Sequence, residues 1–393
     1  MDEMFEMVDG HTDRAVIKVI GVGGGGGNTV NQMAQAGIEG VEFICANTDA
    51  QHLKKIRADT VLQIGADITR GLGAGANPEI GKQAAMDDRE RIREVIEGAD
   101  MVFITAGMGG GTGTGAAPVV AEVARELDIL TVAVVTKPFP FELPKRMDVA
   151  KQGLEELGKF VDSLIVIPNE KLLTVFGKRN FLLQQAFKEA NGVLQNAVKG
   201  IAELITRPGD INVDFADVRR VMSVRGMAMM GIGSGTGEDR ARQAAETALA
   251  SPLLEELNLT GARGILVNVT ASADTLQLSE FQMVNELIAD MGAEDVEVII
   301  GTAFDADMSD ELRVTVVATG LGGGVQQATE SDKVRPLHRD NNGQTRYEEL
   351  DKPTVMRRQA AAGGGQSRRS FQDVDELDME YLDVPAFLRN QAD

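Results

Sequence analysis

Short apolar runs alternate with helical patterns through the first part of the chain. Because these runs are apolar throughout and rich in β-branched residues, they predict strands buried on both faces, as in a parallel sheet covered by helices. Strands that alternate with helices in this way indicate βαβ units and an α/β fold. The predicted strands are 15–20, 41–46, 101–106, 130–136 and 163–167.

A long amphipathic stretch follows. Apolar residues recur every three or four positions over 181–206, which predicts one long helix, and Arg207-Pro208-Gly209 ends it. Beyond it we expect a helix from about Asp214, a strand over 227–232, a helix over 239–250 and apolar runs at 264–270, 296–301 and 312–318. The sequence therefore predicts a second, mixed α/β domain joined to the first by the long helix.

The composition changes after Gly320, where polar and charged residues and short Gly and Ala runs replace the hydrophobic periodicity. Such a segment predicts a disordered linker. Apolar residues return at 378–389, and we favour a docking peptide on a flexible tether over a tail without function. The predicted division is a disordered N-terminus at 1–12, a first domain at 13–180, a central helix at 181–207, a second domain at 208–319, a linker at 320–375 and the peptide at 376–393.

Three small-residue loops are the candidate ligand site. Gly21 to Asn28 follows the first strand and is expected to open a helix at Thr29, and GGGTGTG at 109–115 follows another strand and precedes a helix at 116–127. GLGAGANP at 71–78 ends in a proline at the expected first position of a helix. Glycine loops before helix N-termini cradle anions, so the three loops together predict a triphosphate site.

Alternatives remain for the first loop. It contains GxGxxG, the dinucleotide fingerprint, with Glu39, Glu42 and Asp49 downstream, so an NAD-type oxidoreductase is one alternative and a flexible glycine tract is another. The chain has no GxxxxGK[ST] string, which disfavours a Walker-type ATPase. None of the three histidines, His11, His52 and His338, lies in a convincing catalytic pattern.

Charge and composition narrow the class. A net charge of −21 argues against a general nucleic-acid binder. The single cysteine, Cys45, lies in an apolar run and is expected to be a buried residue of a reducing compartment. The sequence shows neither a signal peptide nor an apolar stretch long enough to span a membrane, so we expect a cytoplasmic protein without direct membrane insertion.

Six strings in the chain resemble those of the tubulin/FtsZ family of bacterial cell-division GTPases. They are GVGGGGGN, NTD at 47–49, GLGAGANPE, GGGTGTG, TKPF followed by Glu142 and Arg146, and NVDFADV at 212–218. The similarity runs from about residue 15 to 320 and returns in the C-terminal peptide. It implies a tubulin-like, GTP-binding parallel-sheet domain, head-to-tail filaments of this chain, and a division ring at mid-cell.

The resemblance also implies roles for individual residues. Phosphates would be held by the glycine loops, the sugar by Glu142 and Arg146, and the base by Asn191 with Phe187 stacked on the ring. We would otherwise interpret Glu142 and Arg146 as an exposed i,i+4 ion pair and Phe187 as core. The full set implied for GTP or GDP is Gly24, Gly25, Gly26, Gly27, Asn28, Asn47, Gly109, Gly110, Gly111, Thr112, Gly113, Thr114, Glu142, Arg146, Phe187, Asn191 and Gly192.

Position 192 departs from the family pattern. Relatives commonly carry an aspartate there, whose carboxylate can accept hydrogen bonds from guanine, whereas this chain has Gly192. Losing a charged acceptor costs about 1.5 to 3 kcal/mol. We therefore expect weakened guanine affinity.

Hydrolysis needs a group that orients water at the γ-phosphate. Asp214 and Asp217, three residues apart at a helix start, would present two carboxylates on one face, with Asn212 as the expected cap. An acidic first turn without catalytic function is the simpler interpretation. The resemblance implies instead that these residues complete the site of the next subunit. Mg²⁺ is expected through the phosphates, with no protein ligand named.

Two further expectations concern partners. The C-terminal peptide resembles the family segment that docks on membrane tethers and division regulators, with Leu382, Val384, Pro385, Phe387 and Leu388 as anchors, and Asn390 stands where relatives often have a basic residue. A filament scaffold that binds nucleotide with little or no turnover is the remaining alternative function.

Overall fold

The structure, a computed structural model, describes residues 15–176, 182–207, 209–254, 261–289 and 296–321. Ten strands form one sheet in these ranges. The predicted N-terminal segment, the C-terminal peptide and nearly all of the linker lie outside them. In chain order the strands are β1 Ile17–Val22, β2 Val41–Asn47, β3 Thr60–Gln63, β4 Met101–Gly107, β5 Leu130–Lys137, β6 Ser163–Pro168, β7 Gly226–Thr236, β8 Gly264–Ala271, β9 Glu297–Phe304 and β10 Glu311–Leu321.

The helices surround this sheet. The central helix is the longest of those described and ends at Thr206, where the apolar periodicity placed its end. A short 3₁₀ helix spans Pro140–Glu142. The α-helices are α1 Gly23–Gln35, α2 Ala50–Leu53, α3 Ala66–Thr69, α4 Pro78–Asp87, α5 Arg89–Ile96, α6 Thr112–Glu126, α7 Pro144–Leu157, α8 Asn169–Phe176, α9 Leu183–Thr206, α10 Phe215–Met222, α11 Arg240–Leu249 and α12 Leu278–Ala289.

The sheet has a parallel and a mixed part. Its strand order is β3-β2-β1-β4-β5-β6-β7-β10-β8-β9, with every pairing parallel from β3 to β7. The β10 strand then pairs antiparallel with both β7 and β8, and β9 pairs parallel with β8. The β6 and β7 strands pair only over Ser163 to Ile165. A mostly parallel α/β sheet followed by a mixed part is confirmed, whereas the domain boundaries stay a prediction.

Both faces of the parallel part are buried. Val19 and Phe103 pack in one core with Leu194 and Val198 of α9, while the neighbouring Ile20 packs in a second core on the opposite face, which contains much of α6. Successive side chains of a strand point to opposite faces, so an unbroken apolar run is buried only when helices cover both. The prediction made from the uninterrupted runs is confirmed.

Two helices begin earlier than their sequences suggest. The α1 helix begins at Gly23 and not at Thr29, and α6 begins at Thr112 and not at Ala116. Glycine is a poor helix former, which concealed these first turns. The helices form there because their backbones press against neighbouring chain: a methyl group at Gly26 would lie 2.2 Å from Thr105 O.

Several smaller predictions can be compared with the described residues. The α4 helix begins at Pro78, as predicted, and the Asn77 side chain caps it. Cys45 is fully buried, as expected, and burial raises the pKa of its thiol to about 12. No described helix is long and apolar enough to cross a membrane.

Candidate functional site

The three small-residue loops meet at the carboxyl ends of the parallel strands. A methyl group at Gly23, which opens α1, would lie 2.7 Å from the Gly113 nitrogen of α6. A methyl group at Gly111 would lie 2.8 Å from the Ala74 side chain of the third loop. The loops can approach so closely because glycines stand at these contact positions, where a larger side chain would collide with the neighbouring loop.

Part of the surface of these loops is open. Methyl groups at Gly24, Gly75 and Gly110 would meet no other atom within 4 Å, so each loop contributes one position with free space beside it. The first turns of α1 and α6 leave backbone N–H groups without helical partners. Helix N-termini with open space in front of them suit an anionic ligand.

The two threonines of the α6 loop make contacts within the loops. The Thr114 hydroxyl accepts a hydrogen bond of 2.8 Å from the Gly109 N–H, which closes the turn before α6. The Thr112 hydroxyl lies 2.7 Å from the buried Thr48 hydroxyl at the end of β2. Both side chains therefore stabilise the loop conformation, and the exposed surface at this edge is mainly backbone.

His52, which the sequence pattern did not single out, lies in the candidate site. Its Nδ1 is 3.2 Å from Asn47 Nδ2 and its Nε2 is 3.0 Å from Asn28 Oδ1, so the ring connects two residues of the candidate set. Burial lowers the pKa of His52, Asp49 raises it and Lys55 lowers it, and the net shift is downward. The only sequence signal was its position in the short helix after the NTD string.

Glu142 and Arg146 form the i,i+4 ion pair of the simpler interpretation, with 2.9 Å between Oε2 and Nη1, although only Arg146 is exposed. The Glu142 carboxylate also accepts a hydrogen bond of 2.9 Å from the Phe139 N–H, which fixes it at the 3₁₀ helix. The Glu142 side chain is mostly buried, whereas half of the Arg146 side chain is exposed. The pair thus has a fixed acidic member and a cationic member that can reach a ligand.

An aromatic cluster lies beside the central helix. The Phe139 and Phe141 rings stack with centroids 4.9 Å apart, and the Phe187 ring meets Phe139 edge-on at 5.3 Å. Phe187 is 39% exposed, so it is not the simple core residue that its apolar character suggested. An exposed ring face in a rigid cluster is a suitable surface for a planar base.

Asn191 and Gly192 lie one turn after Phe187 on α9. Asn191 Oδ1 is 3.3 Å from the Thr29 hydroxyl, which places the central helix against α1. A methyl group at Gly192 would meet only Gln32 Nε2, at 3.7 Å, so there is room for a side chain at this position.

The acidic pair lies at the start of α10. Asp214 is the N-cap residue, and its carboxylate accepts a hydrogen bond of 2.7 Å from the Asp217 N–H. The prediction that Asn212 caps this helix is therefore wrong, because the helix begins two residues later than such a cap requires. Asp217 is partly exposed and pairs with Arg220 at 3.1 Å.

Metal ligands are the last element of the site to consider. Among the described residues there is no group of three or more His, Cys, Asp or Glu side chains that could hold a metal ion. Mg²⁺ held mainly by phosphate oxygens and water needs few protein ligands, so the expectation of Mg²⁺ through the phosphates stays a prediction.

Comparisons with known proteins agree with this architecture. Residues 16–177 match the GTPase domain of the Tubulin/FtsZ family, and residues 226–322 match the C-terminal domain of the FtsZ family. The class is therefore that of the tubulin-like GTPases, which bind GTP or GDP, and the oxidoreductase alternative has no support.

Individual relatives narrow the class. Cell division protein FtsZ of Pseudomonas aeruginosa is 59% identical over 400 residues, which cover 99% of this chain and all of that relative. Cell division protein FtsZ of Coxiella burnetii is 58% identical over 98% of this chain and 99% of the relative. The empty FtsZ dimer of M. jannaschii has a TM-score of 0.76 at 47% identity and covers 79% of this chain and 89% of that chain. The chain belongs to the FtsZ family of cell-division GTPases.

Proposed function

We propose that the protein polymerises head-to-tail in the presence of GTP and hydrolyses GTP at the interface between consecutive subunits. The supporting observation is that the backbone donors of the glycine loops and the carboxylates of Asp214 and Asp217 lie in different parts of the chain. The loops at 21–28, 71–78 and 109–115 contain no Asp or Glu, whereas Asp214 and Asp217 lie on another helix with exposed surface. An interface that repeats without closing produces an open filament.

Roles follow for the residues of the site. The loops from Gly24 to Asn28 and from Gly109 to Thr114 hold the phosphates, through the backbone N–H groups that the first turns of α1 and α6 leave unpaired. Glu142 and Arg146 contact the sugar. Phe187 stacks on the base and Asn191 contacts its edge. Mg²⁺ would be held mainly by phosphate oxygens and water, and it would neutralise phosphate charge, as in other phosphoryl transfers. Asp217, together with Asp214 and the adjacent Asn212, orients the water for the GTP of the next subunit.

The cellular role follows from the family. Relatives that match nearly the whole chain are named cell division proteins, so we propose that these filaments form the division ring in the cytoplasm at mid-cell. Self-association is supported by the empty FtsZ dimer among the similar structures. The C-terminal peptide at 376–393 is proposed to dock on membrane tethers and regulators. We also propose that the chain is divided into a nucleotide-binding domain at 13–180, a central helix at 181–207 and a second domain at 208–319.

The test is the dependence of turnover on protein concentration. Phosphate release with GTP and Mg²⁺ is measured over a dilution series, and polymer is measured by sedimentation in the same samples, with ATP and NAD as controls. We expect turnover per molecule to be negligible below a critical concentration and to rise together with polymer. Constant turnover down to monomeric samples would contradict a shared site. Polymer without phosphate release would favour a scaffold.

A further inference from the structure

Three polar side chains from three different elements form a connected chain beside the glycine loops. Asn28 lies on α1, Asn47 ends β2, and His52 lies on α2. The imidazole is between the two amides, 3.2 Å from Asn47 Nδ2 through Nδ1 and 3.0 Å from Asn28 Oδ1 through Nε2.

The backbone at Asp49 fixes the polarity of this chain. The Asp49 N–H donates to Asn47 Oδ1 at 3.3 Å, so the amide oxygen of Asn47 faces the backbone and its NH₂ group faces His52. An NH₂ group can only donate, so His52 Nδ1 must accept. The ring proton is then on Nε2, which donates to Asn28 Oδ1.

The orientation of Asn28 follows from that tautomer. Its oxygen is engaged by His52, so its NH₂ group has no hydrogen-bond partner in the part of the chain that the structure describes. The Asn28 side chain is exposed and lies in the same helical turn as the open position at Gly24. Phosphate oxygens carry negative charge and accept hydrogen bonds. The opposite ring tautomer would require an NH₂ group of Asn28 at Nε2, and the free group would then be the oxygen, which repels an anion.

We propose that His52 is a positioning residue of the nucleotide site, whose neutral Nε2–H tautomer holds Asn28 with its amide donors towards the phosphates. This inference rests on the proposed function, since it requires a nucleotide at the glycine loops. It adds to that function a dependence on acid, because protonated His52 carries a second N–H that faces the NH₂ group of Asn47.

The surroundings of His52 favour the neutral ring. Its charged neighbours are Asp49 and Lys55, both within its own segment. The described neighbours from β2 and α1 are Asn47, Asn28 and Gly27, which are uncharged, and the Cys45 thiol, which is protonated at neutral pH. Because the pKa of His52 is lowered, the hydrogen bonds of the neutral ring to Asn47 and Asn28 are intact above the usual pH range of histidine titration. They are lost as pH falls through the lowered pKa.

Two substitutions at His52 distinguish its hydrogen bonds from its capacity to titrate. His52→Gln offers one oxygen to accept from Asn47 and one NH₂ group to donate to Asn28, and it does not titrate. His52→Ala removes both contacts. Gln51→Ala, on the exposed face of the same short helix, is the matched control. The measurement is the affinity of each full-length protein for a fluorescent GDP analogue between pH 7.5 and 5.0, below the concentration of assembly.

We expect His52→Ala to bind GDP about tenfold more weakly at pH 7.5, which corresponds to one hydrogen bond to a charged group. Gln51→Ala and His52→Gln should match the wild type at that pH. Towards pH 5.0 the GDP affinity of the wild type should fall more than that of His52→Gln. Phosphate protonation affects both proteins equally, so it cancels in the difference between them. Tm values measured at each pH identify any loss that comes from unfolding.

Two results would overturn the inference. One is a His52→Ala protein that binds like the wild type, and the other is a wild type and a His52→Gln protein with the same pH profile. Both leave the proposed function intact if the wild type binds GDP. If the wild type binds no GDP at pH 7.5, the proposed function fails, and this inference fails with it.

Discussion

The glycine edge of the sheet and the acidic start of α10 present opposite chemistry. At the edge, three loops expose backbone donors, and the nearby Glu142 carboxylate is occupied by Arg146 and by the Phe139 N–H. At α10, Asp214 and Asp217 present oxygen acceptors, and Asp217 is partly exposed. An anionic triphosphate suits the first region and is repelled by the second.

The comparison indicates how the two regions can cooperate. Carboxylates close to the glycine loops would weaken triphosphate binding through charge repulsion. A site that needs both backbone donors and carboxylates avoids this repulsion if a second molecule supplies the carboxylates after the triphosphate has bound. In the proposed filament each region is incomplete alone, and assembly joins the two. The following substitutions alter one region at a time.

Asp217→Ala should have the largest effect. If this carboxylate orients the attacking water, its loss should reduce phosphate release by about 100-fold or more, as is usual for a positioned acid or base. The Asp214 cap remains, because it bonds to the backbone N–H of residue 217. Light scattering and phosphate release in parallel are the measurement, and assembly with GTP should persist.

Asp148→Ala is the matched control for that experiment. Asp148 is an exposed acid on α7 with a loose contact to Lys151, so its removal changes the net charge equally and should leave turnover unchanged. Full turnover in Asp217→Ala would refute the role of this carboxylate.

A pair of glycine substitutions should have the next largest effect. Gly26→Ala places a methyl group 2.2 Å from Thr105 O, so α1 must move away from β4, and overpacking of this kind costs about 1–3 kcal/mol. Gly24→Ala lies in open space and should not reduce stability, although it can obstruct the phosphates. Urea unfolding gives the stabilities and GDP titration gives the affinities.

The decisive quantities are the difference in free energy of unfolding between the two variants and the GDP affinity of Gly24→Ala. Equal free energies of unfolding for Gly26→Ala and Gly24→Ala would contradict the close packing of α1 on the sheet. Unchanged GDP affinity in Gly24→Ala would show that the ligand does not approach this open position.

Gly192→Asp should have an effect comparable in size to that of Gly26→Ala, but on nucleotide affinity and not on stability. The position has room for the side chain, and an added carboxylate acceptor should tighten GTP binding by about 1.5 to 3 kcal/mol without the same gain for ATP. Gly192→Ala is the control, because it gives the helix-propensity gain of about 1 kcal/mol without an acceptor. Equal GTP affinities for the aspartate and alanine variants would remove the hypothesis.

The sequence predicts buried strands better than it predicts helix starts and contacts between side chains. Most strands of the parallel part follow from apolar runs such as Met101–Gly107, because burial on both faces leaves an unbroken pattern. The edge strand β3 was not predicted, because it has four residues and only one of them is buried. The starts of α1 and α6 did not follow, since tertiary packing overrides the low helix propensity of glycine. The Asn212 cap was wrong because either Asn212 or Asp214 is a chemically suitable cap. His52 was missed because one of its two partners, Asn28, lies 24 residues away on another helix.

The short pairing between β6 and β7 has a mechanical consequence. Three residue pairs, from Ser163↔Gly226 to Ile165↔Ala228, join these two strands, which is fewer than in any other pairing of the described sheet, so we expect the sheet to bend most easily here. The core beneath it contains Phe103 from one part and Met230 and Val317 from the other. Bending there would therefore shear that core, so we expect its packing to determine how closely the start of α10 follows a movement of the glycine loops.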